Sequence, residues 1–387
     1  MKIMFSAGEA SGDMHAAGVA KAIRETRPGV EMFGMGGSLM AAQDVRLVYD
    51  IKDLGYIGLV EIITALPKFF RLRDFLRERM MEEKPDVLVC VDYPGFNMRL
   101  AKVAHSLGIP VVYYIAPTIW AWHRSRGKDI AKYVTKVASI FPFEAEAYRA
   151  FGCDVAFVGH PLLDIVKPSM TKEEAYTRFG ATENDINILL MPGSRLQEVT
   201  GLLDTMLRAV KVLKMRMPDI ETSGSRIRCF LPRAHTIDRS VLADILAKYD
   251  EDVTITEGDT YDLMGICRVA LAASGTATLE TAMMLLPTIL MYRVSPVTFF
   301  IGKRLVNLTH LGLPNIIAGR EVIPELLQGD VTPERAAELL ASLLTDETRC
   351  GRMRDDLEEV CAALGKPGAL ERVARTVMET ASGGTGE

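Results

Sequence analysis

Short aliphatic runs recur along the first half of the chain, at 2–7, 86–91, 111–115, 137–141 and 155–158. Between them, apolar residues return with helical spacing, as at 12–26 and 98–107. Each run is nearly continuous rather than alternating, the mark of a strand buried on both faces. Such strands alternating with helices predict a parallel sheet covered by helices on both sides. Residues 164–185 change character: Lys167, Pro168, Ser169, Thr171, Lys172, Glu173, Glu174 and a polar turn at 180–185 read as a linker. The pattern then restarts, with strand-like runs at 186–191, 226–231, 252–256, 268–273 and 287–292. Residues 331–380 read as helix without strands. The simplest parse is two consecutive α/β domains, 1–165 and 166–345. A helical tail, 346–387, is left free to cross back onto the first domain.

Composition narrows the class. A length of 387 residues, at about 150 per domain, predicts two to three domains. With 49% hydrophobic and 25% charged residues the chain is globular. A net charge of −5 argues against a protein built to neutralise nucleic-acid phosphates, so no nucleic-acid partner is expected. No apolar run reaches the roughly 18 residues of a membrane span. The six cysteines, at 90, 153, 229, 267, 350 and 361, lack Cys-x-x-Cys spacing and read as reduced thiols, not a zinc site. The apolar N-terminus is too short for a signal peptide and Glu9 follows at once, so a cytoplasmic location is expected.

Ligands of open parallel sheets bind at the carboxyl ends of the strands, so the loops there carry the candidate chemistry. The first is Gly8-Glu9-Ala10-Ser11-Gly12-Asp13. It has neither the dinucleotide fingerprint nor the Lys-Ser/Thr of a P-loop. Its carboxylates suit sugar hydroxyls; otherwise it is a capped turn with Ser11 or Asp13 as N-cap. The loop Asp92-Tyr93-Pro94-Gly95-Phe96-Asn97 puts Asp92 just past a buried strand, where desolvation moves a carboxyl towards a general base's working range. Asn97 reads as the better helix cap. The segment 115–126 holds both tryptophans, Trp120 and Trp122, beside His123, Arg124 and Arg126, an aromatic and cationic set suited to sugar and phosphate. His160 ends the last strand of the first half, as a ligand donor or as a partner for backbone.

In the second half, Gly193-Ser194-Arg195 follows a strand and opens a helix, offering backbone N–H groups and a cation to an anion. Ser274-Gly275-Thr276 repeats the arrangement, with Glu280 one and a half turns further on, placed for both hydroxyls of a ribose. Two such loops without a metal-binding Asp-x-Asp predict a nucleoside diphosphate held without metal or other cofactor. Finally, Leu59, Ile62, Ile63, Leu66, Phe69 and Phe70 form an apolar stripe, with Lys68, Arg71, Arg73, Arg77 and Arg79 interspersed or following, a composition suited to a membrane interface.

In order and spacing, the segments 8–13, 92–97, 117–122, 192–195, 274–280 and Leu313-Pro314-Asn315 through Glu321 resemble the lipid-A-disaccharide synthase family, from Lys2 to about Leu327. The resemblance implies a GT-B fold, two Rossmann-like domains with parallel sheets facing across a cleft. It implies an inverting transferase joining UDP-2,3-diacylglucosamine to 2,3-diacylglucosamine 1-phosphate (lipid X). The product would be a β-1,6 disaccharide 1-phosphate, with UDP released. Asp92 would be the base and Arg195 would stabilise departing UDP. Gly193, Ser194, Ser274, Gly275, Thr276, Glu280, Asn315 and Glu321 would bind the nucleotide side. Glu9, Ser11, Trp120 and His160 would face the sugars. Arg124 and Arg126 are assigned to the acceptor phosphate by inference rather than by resemblance. The stripe at 59–70 would contact the inner face of the cytoplasmic membrane. Whether the chain forms a homodimer is left open. Gly95 departs from the pattern, since a second acid is common there in the family. The alternative is another GT-B enzyme using UDP-N-acetylglucosamine, a transferase to a different acceptor or a 2-epimerase.

Overall fold

The computed structural model describes all residues except 55–61, 120–124, 219–224, 296–298, 300–308 and 384–387. Within them the chain divides into two compact units, Met1–Leu163 with Leu364–Glu387, and Asp164–Ala363.

The first unit is a seven-stranded parallel sheet, ordered β3-β2-β1-β4-β5-β6-β7. Its strands are β1 (Lys2–Ala7), β2 (Glu31–Gly36), β3 (Arg46–Asp50), β4 (Val87–Val91), β5 (Val111–Tyr114), β6 (Lys136–Ser139) and β7 (Val155–Phe157). The helices between them are α1 (Ala10–Thr26), α2 (Ser38–Ala41), α3 (Ile62–Glu83), α4 (Pro94–Ser106), α5 (Arg126–Tyr133) and α6 (Pro142–Arg149); α7 (Leu162–Ile165) follows β7. The central strands β4 and β5 are completely buried and β1 is buried from Ile3 onward, as their nearly continuous apolar runs require.

The second unit is a six-stranded parallel sheet, ordered β10-β9-β8-β11-β12-β13. In chain order it contains α8 (Lys172–Phe179), β8 (Ile186–Met191), α9 (Leu196–Arg216), β9 (Ile227–Pro232), α10 (Arg239–Leu246), β10 (Val253–Thr256) and α11 (Thr260–Ile266). There follow β11 (Val269–Ala273), α12 (Thr276–Met283), β12 (Thr288–Tyr292), α13 (Leu313–Ala318), β13 (Glu325–Leu327), α14 (Pro333–Thr345) and α15 (Glu347–Ala363). The strand-free tail divides at Ala363: α15 stays with the second unit, whereas α16 (Ala369–Ala381) belongs to the first. There α16 buries Val373, Ala374 and Val377, and Arg372 donates through Nε to the Val158 carbonyl at 2.7 Å.

Three strands carry no sequence signal. In β2, Gly34 and Gly36 interrupt the apolar run, yet a Cβ at Gly34 would lie 2.0 Å from the Phe5 carbonyl oxygen, so close approach to β1 requires glycine. Strand β3 is a partly exposed edge, and β13 spans three residues. The 164–185 segment, linker-like in composition, contains a helix. Thr171 and Glu174 form a reciprocal capping box and Gly180 closes α8 at φ 63°. Its polar residues are helix ends. No helix of the described residues is long and apolar enough to cross a membrane.

Each sheet reverses its winding once, between β1 and β4 and between β8 and β11. The loops leaving those strands diverge there and open a crevice at the strands' carboxyl ends. Residues 8–13 and 92–97 flank one crevice; residues 193–195 and 274–276 flank the other.

Candidate active site

The crevice of the first unit is built around strained backbone. Asp92 and Tyr93 both adopt left-handed conformations, φ 49° and 50°, a geometry that costs about 1–3 kcal/mol at each non-glycine residue. A buried network holds it. Tyr113 donates its hydroxyl to the Asp92 carbonyl at 3.0 Å. The Asn97 amide donates to the carbonyls of Ser6, Val91 and Asp92 at 3.1, 3.2 and 2.8 Å, and its oxygen accepts from the Ser6 hydroxyl at 2.6 Å. Asn97 therefore does not cap α4. Tyr93 occupies the N-cap position without a side-chain bond, and Asn97 faces the sheet, fully buried, as the clamp on the Asp92 turn.

The Asp92 carboxyl is held above its usual pKa by burial, opposed by a backbone hydrogen bond from Tyr93. The Tyr93 ring lies against Gly8, where a Cβ would come within 2.1 Å. Burial and the nearby charge of Glu9 push the Tyr93 hydroxyl up to about 12. Glu9 and Ser11 are exposed at the start of α1 beside this loop. Glu9, rather than Ser11 or Asp13, is the N-cap. Asp13 is spent on structure, because its buried carboxylate accepts from the backbone of Gly37, Leu39 and Met40. Of the two acids in this loop, Glu9 is the exposed one.

Burial raises the hydroxyls of Tyr113 and Tyr148 well above the usual phenol range, and Arg126, at the start of α5, lies near enough for its charge to offset a small part of that. It is therefore grouped with the Asp92 loop. Trp120 and Arg124 lie outside the described residues. His160 is 5% exposed and tilts against Phe141, with ring centroids 5.0 Å apart. Its Nδ1 accepts from the Leu162 backbone at 3.2 Å, and the His160 backbone N–H donates to the Leu364 carbonyl at 3.0 Å. Burial, with the neighbouring His15, lowers its pKa to about 4. The geometry gives His160 a packing task and little opening to a substrate.

In the second unit, Gly193 turns at φ 110° and Arg195 is the N-cap of α9. The anion place at this helix start is filled from within. Glu198 accepts from the backbone N–H groups of Ser194 and Arg195 at 3.2 and 3.3 Å and pairs with the Arg195 guanidinium at 2.9 Å. The Arg195 side chain is 83% exposed. The spacing of Glu198 three residues past the N-cap was the available sequence signal.

Gly275 and Thr276 are exposed at the start of α12, whose N-cap, Gly275, has no side chain to satisfy the N–H groups there. Ser274 donates to the Leu311 carbonyl at 3.4 Å. Glu280 is half-buried and raised above its usual pKa by burial, opposed by a hydrogen bond from Thr276. Burial, with the nearby charge of Glu280, pushes the Tyr261 hydroxyl up to about 12, which brings Tyr261 into this group.

Asn315 does not line the site. It is fully buried, with its amide bonded to Ile323 and Glu325 and its oxygen to the N–H groups of Val322 and Ile323. All its capacity is spent on the turn between α13 and β13. Glu325, which no motif marked, anchors the same turn by accepting from Leu311, Gly312 and Asn315. Glu321 is exposed and makes no hydrogen bond or ion pair among the described residues.

The apolar stripe also divides. Leu59 is outside the described residues, as are the side chains of Ile62, Ile63 and Leu66. Phe69 packs inward, with ring centroids 6.4 and 6.1 Å from Tyr93 and Phe96. The pitch of α3 turns it towards the sheet with Leu72, Leu76 and Met80, so it supports the Asp92 loop rather than a membrane face. Phe70 is 43% exposed, beneath the guanidinium groups of Arg73 and Arg99.

The lipid-A-disaccharide synthetase family model matches residues 3–377. The chain belongs to the lipid-A-disaccharide synthetase family. A lipid-A-disaccharide synthase of Geobacter sulfurreducens is 39% identical over 378 residues, covering 98% of this chain and 97% of that one. That of Syntrophus aciditrophicus is 39% identical over 373 residues, covering 96% of each. This family member is accordingly an enzyme, a glycosyltransferase of lipid A biosynthesis.

Solved structures establish the fold. A putative UDP-N-acetylglucosamine 2-epimerase from Listeria monocytogenes superposes with a TM-score of 0.66 at 14% identity, covering 100% of this chain and 97% of that one. The UDP-GlcNAc 2-epimerase from Neisseria meningitidis bound to UDP-GlcNAc superposes with a TM-score of 0.64 at 13% identity, covering 98% and 100%. The lipid-A-disaccharide synthetase family member described here has the same two-sheet, GT-B architecture.

Proposed function

We propose that the chain condenses UDP-2,3-diacylglucosamine with 2,3-diacylglucosamine 1-phosphate, releasing UDP and a β-1,6-linked disaccharide 1-phosphate. The observation that carries the proposal is Asp92, a carboxylate with a raised pKa at the winding reversal of the first sheet in a chain of this family. Asp92 takes the proton of the acceptor's 6-hydroxyl as its oxygen attacks the anomeric carbon of the donor. The bond from that carbon to the diphosphate breaks on the opposite face, inverting the centre. Direct displacement needs one base, in contrast to the two-carboxylate double displacement of retaining hydrolases.

The diphosphate gains charge as it leaves. Arg195 and the N–H groups at Gly275 and Thr276 stabilise it, and Glu280 holds the ribose. Arg126 is assigned to the acceptor phosphate, supported by its nearness to Tyr113 and Tyr148. The exposed Phe70, among Lys68, Arg71 and Arg77, supports a peripheral seat on the anionic inner face of the cytoplasmic membrane.

The decisive experiment mixes the purified protein with both lipids in detergent and reads products by mass spectrometry. A disaccharide 1-phosphate with stoichiometric UDP is the expected result. UDP release without the disaccharide, or conversion of UDP-N-acetylglucosamine to an epimer, overturns the assignment.

A further inference from the structure

At the opposite end of the second sheet from the candidate donor loops lies a cavity of about 470 Å³. Part of its wall comes from residues that closely precede strands. Cys267 stands two positions before β11 and Pro287 immediately before β12, whereas Ser274 follows β11. Met284, which lines the cavity, comes directly after α12, whose first residue, Thr276, belongs to the donor loop. At 1.5 Å per residue the eight-residue α12 separates the two places by about 12 Å. The cavity is therefore a different place from the proposed diphosphate site.

Its size falls within the roughly 300–1,000 Å³ of small-molecule sites. The lining is mainly aliphatic and thioether, with Met170, Met264, Met284 and Leu286 contributing adaptable surface. Two cations complete it, Lys172 from α8 and Arg354 from α15. Both residues are exposed, and neither side chain makes a hydrogen bond or ion pair among the described residues. The one carboxylate in the wall, Asp262, is already compensated. It accepts from the Ser169 backbone and hydroxyl at 2.6 and 2.8 Å and from the Met170 backbone at 3.0 Å. An apolar hollow with two unmatched cations selects an apolar chain with an anionic head.

We propose that this cavity is a second ligand site of the protein, taking a single alkyl or acyl chain that ends in a carboxylate or phosphate. The assignment does not depend on the proposed reaction.

Isothermal titration of the full chain with dodecanoate below its micellar concentration tests it. Two variants change the site by different routes. Gly265→Phe fills it from α11, where a Cβ meets nothing within 4 Å. The double variant Lys172→Glu with Arg354→Glu reverses its charge on exposed side chains. The expected result is one binding event, lost in Gly265→Phe and weakened by about tenfold or more in the charge reversal. Dodecyltrimethylammonium does not reproduce it, and saturating UDP does not displace it. A stronger event with dodecyl phosphate than with dodecanoate marks a phosphate head, and the reverse a carboxylate. Methionine oxidation by hydrogen peroxide, read peptide by peptide, supplies the location. Dodecanoate should slow oxidation of Met170 and Met284 and leave the exposed Met81 and Met215 unchanged. Absence of binding, equal binding in both variants, equal binding of the cation, or displacement by UDP overturns the proposal.

Discussion

The two winding reversals present their functional groups in opposite ways. In the first unit, Asp92 sits on a turn whose backbone is strained and locked by Tyr113 and Asn97, both fully buried. In the second, the turn at Gly193 to Arg195 closes on its own Glu198, and the Arg195 side chain stands in water. A base must meet the acceptor oxygen in one orientation, so rigidity there is an advantage. A diphosphate-binding turn must satisfy its own N–H groups when empty and release them when filled. Glu198 is suited to that exchange, since its contacts are half-exposed and correspondingly weak.

The largest expected effect breaks the first side of the comparison. Asp92→Asn should lower turnover by about 10²- to 10⁴-fold while UDP affinity stays near that of the unchanged protein. A parallel loss of UDP binding, measured by calorimetry, would show that Asp92 acts on the donor or the fold instead.

The next effect concerns stability in acid. His160 has a folded pKa of about 4, lowered chiefly by burial, against roughly 6.5 in an unfolded chain. The folded state thus disfavours the proton. The stability this contributes is complete above about pH 6.5 and is lost as the pH falls towards 4, to a total of about 3 kcal/mol. Asp92, raised by burial, works in the opposite sense. A His160→Gln variant separates the two. Hydrogen-exchange protection in the first sheet, taken relative to the intrinsic exchange rate at each pH, should fall between pH 6.5 and 4 in the unchanged protein, and less in the variant. An equal fall in both would remove His160 as the cause.

The smallest effects sharpen the second side. Arg195→Ala should weaken UDP binding by about tenfold, the loss of one exposed-to-paired charge contact. Glu198→Gln should tighten it by a few-fold, because the competing carboxylate charge is gone. If both variants weaken binding equally, Glu198 supports the loop in its filled state and the exchange described above is wrong.

Much of this was legible in the chain. Mostly apolar runs located ten of the thirteen strands among the described residues, because a strand covered on both faces is apolar at nearly every position. The strand-end loops were legible because glycines and helix-starting polar residues mark where a buried strand meets solvent. Family membership followed from the order of those loops.

What each polar side chain does was decided by tertiary structure. Asn97, Asp13 and Asn315 read as caps or ligands, since short polar residues near helix starts serve either purpose. Each instead is buried against another segment, satisfying backbone up to 91 residues away along the chain. Phe69 and Phe70 are neighbours in sequence, yet one packs on the Asp92 loop and the other faces solvent, because about 100° of helical rotation separates them. Composition and periodicity fix which residues leave water. Only the folded chain fixes which partners they meet, because a buried polar group must take whichever donor or acceptor the packing brings to it.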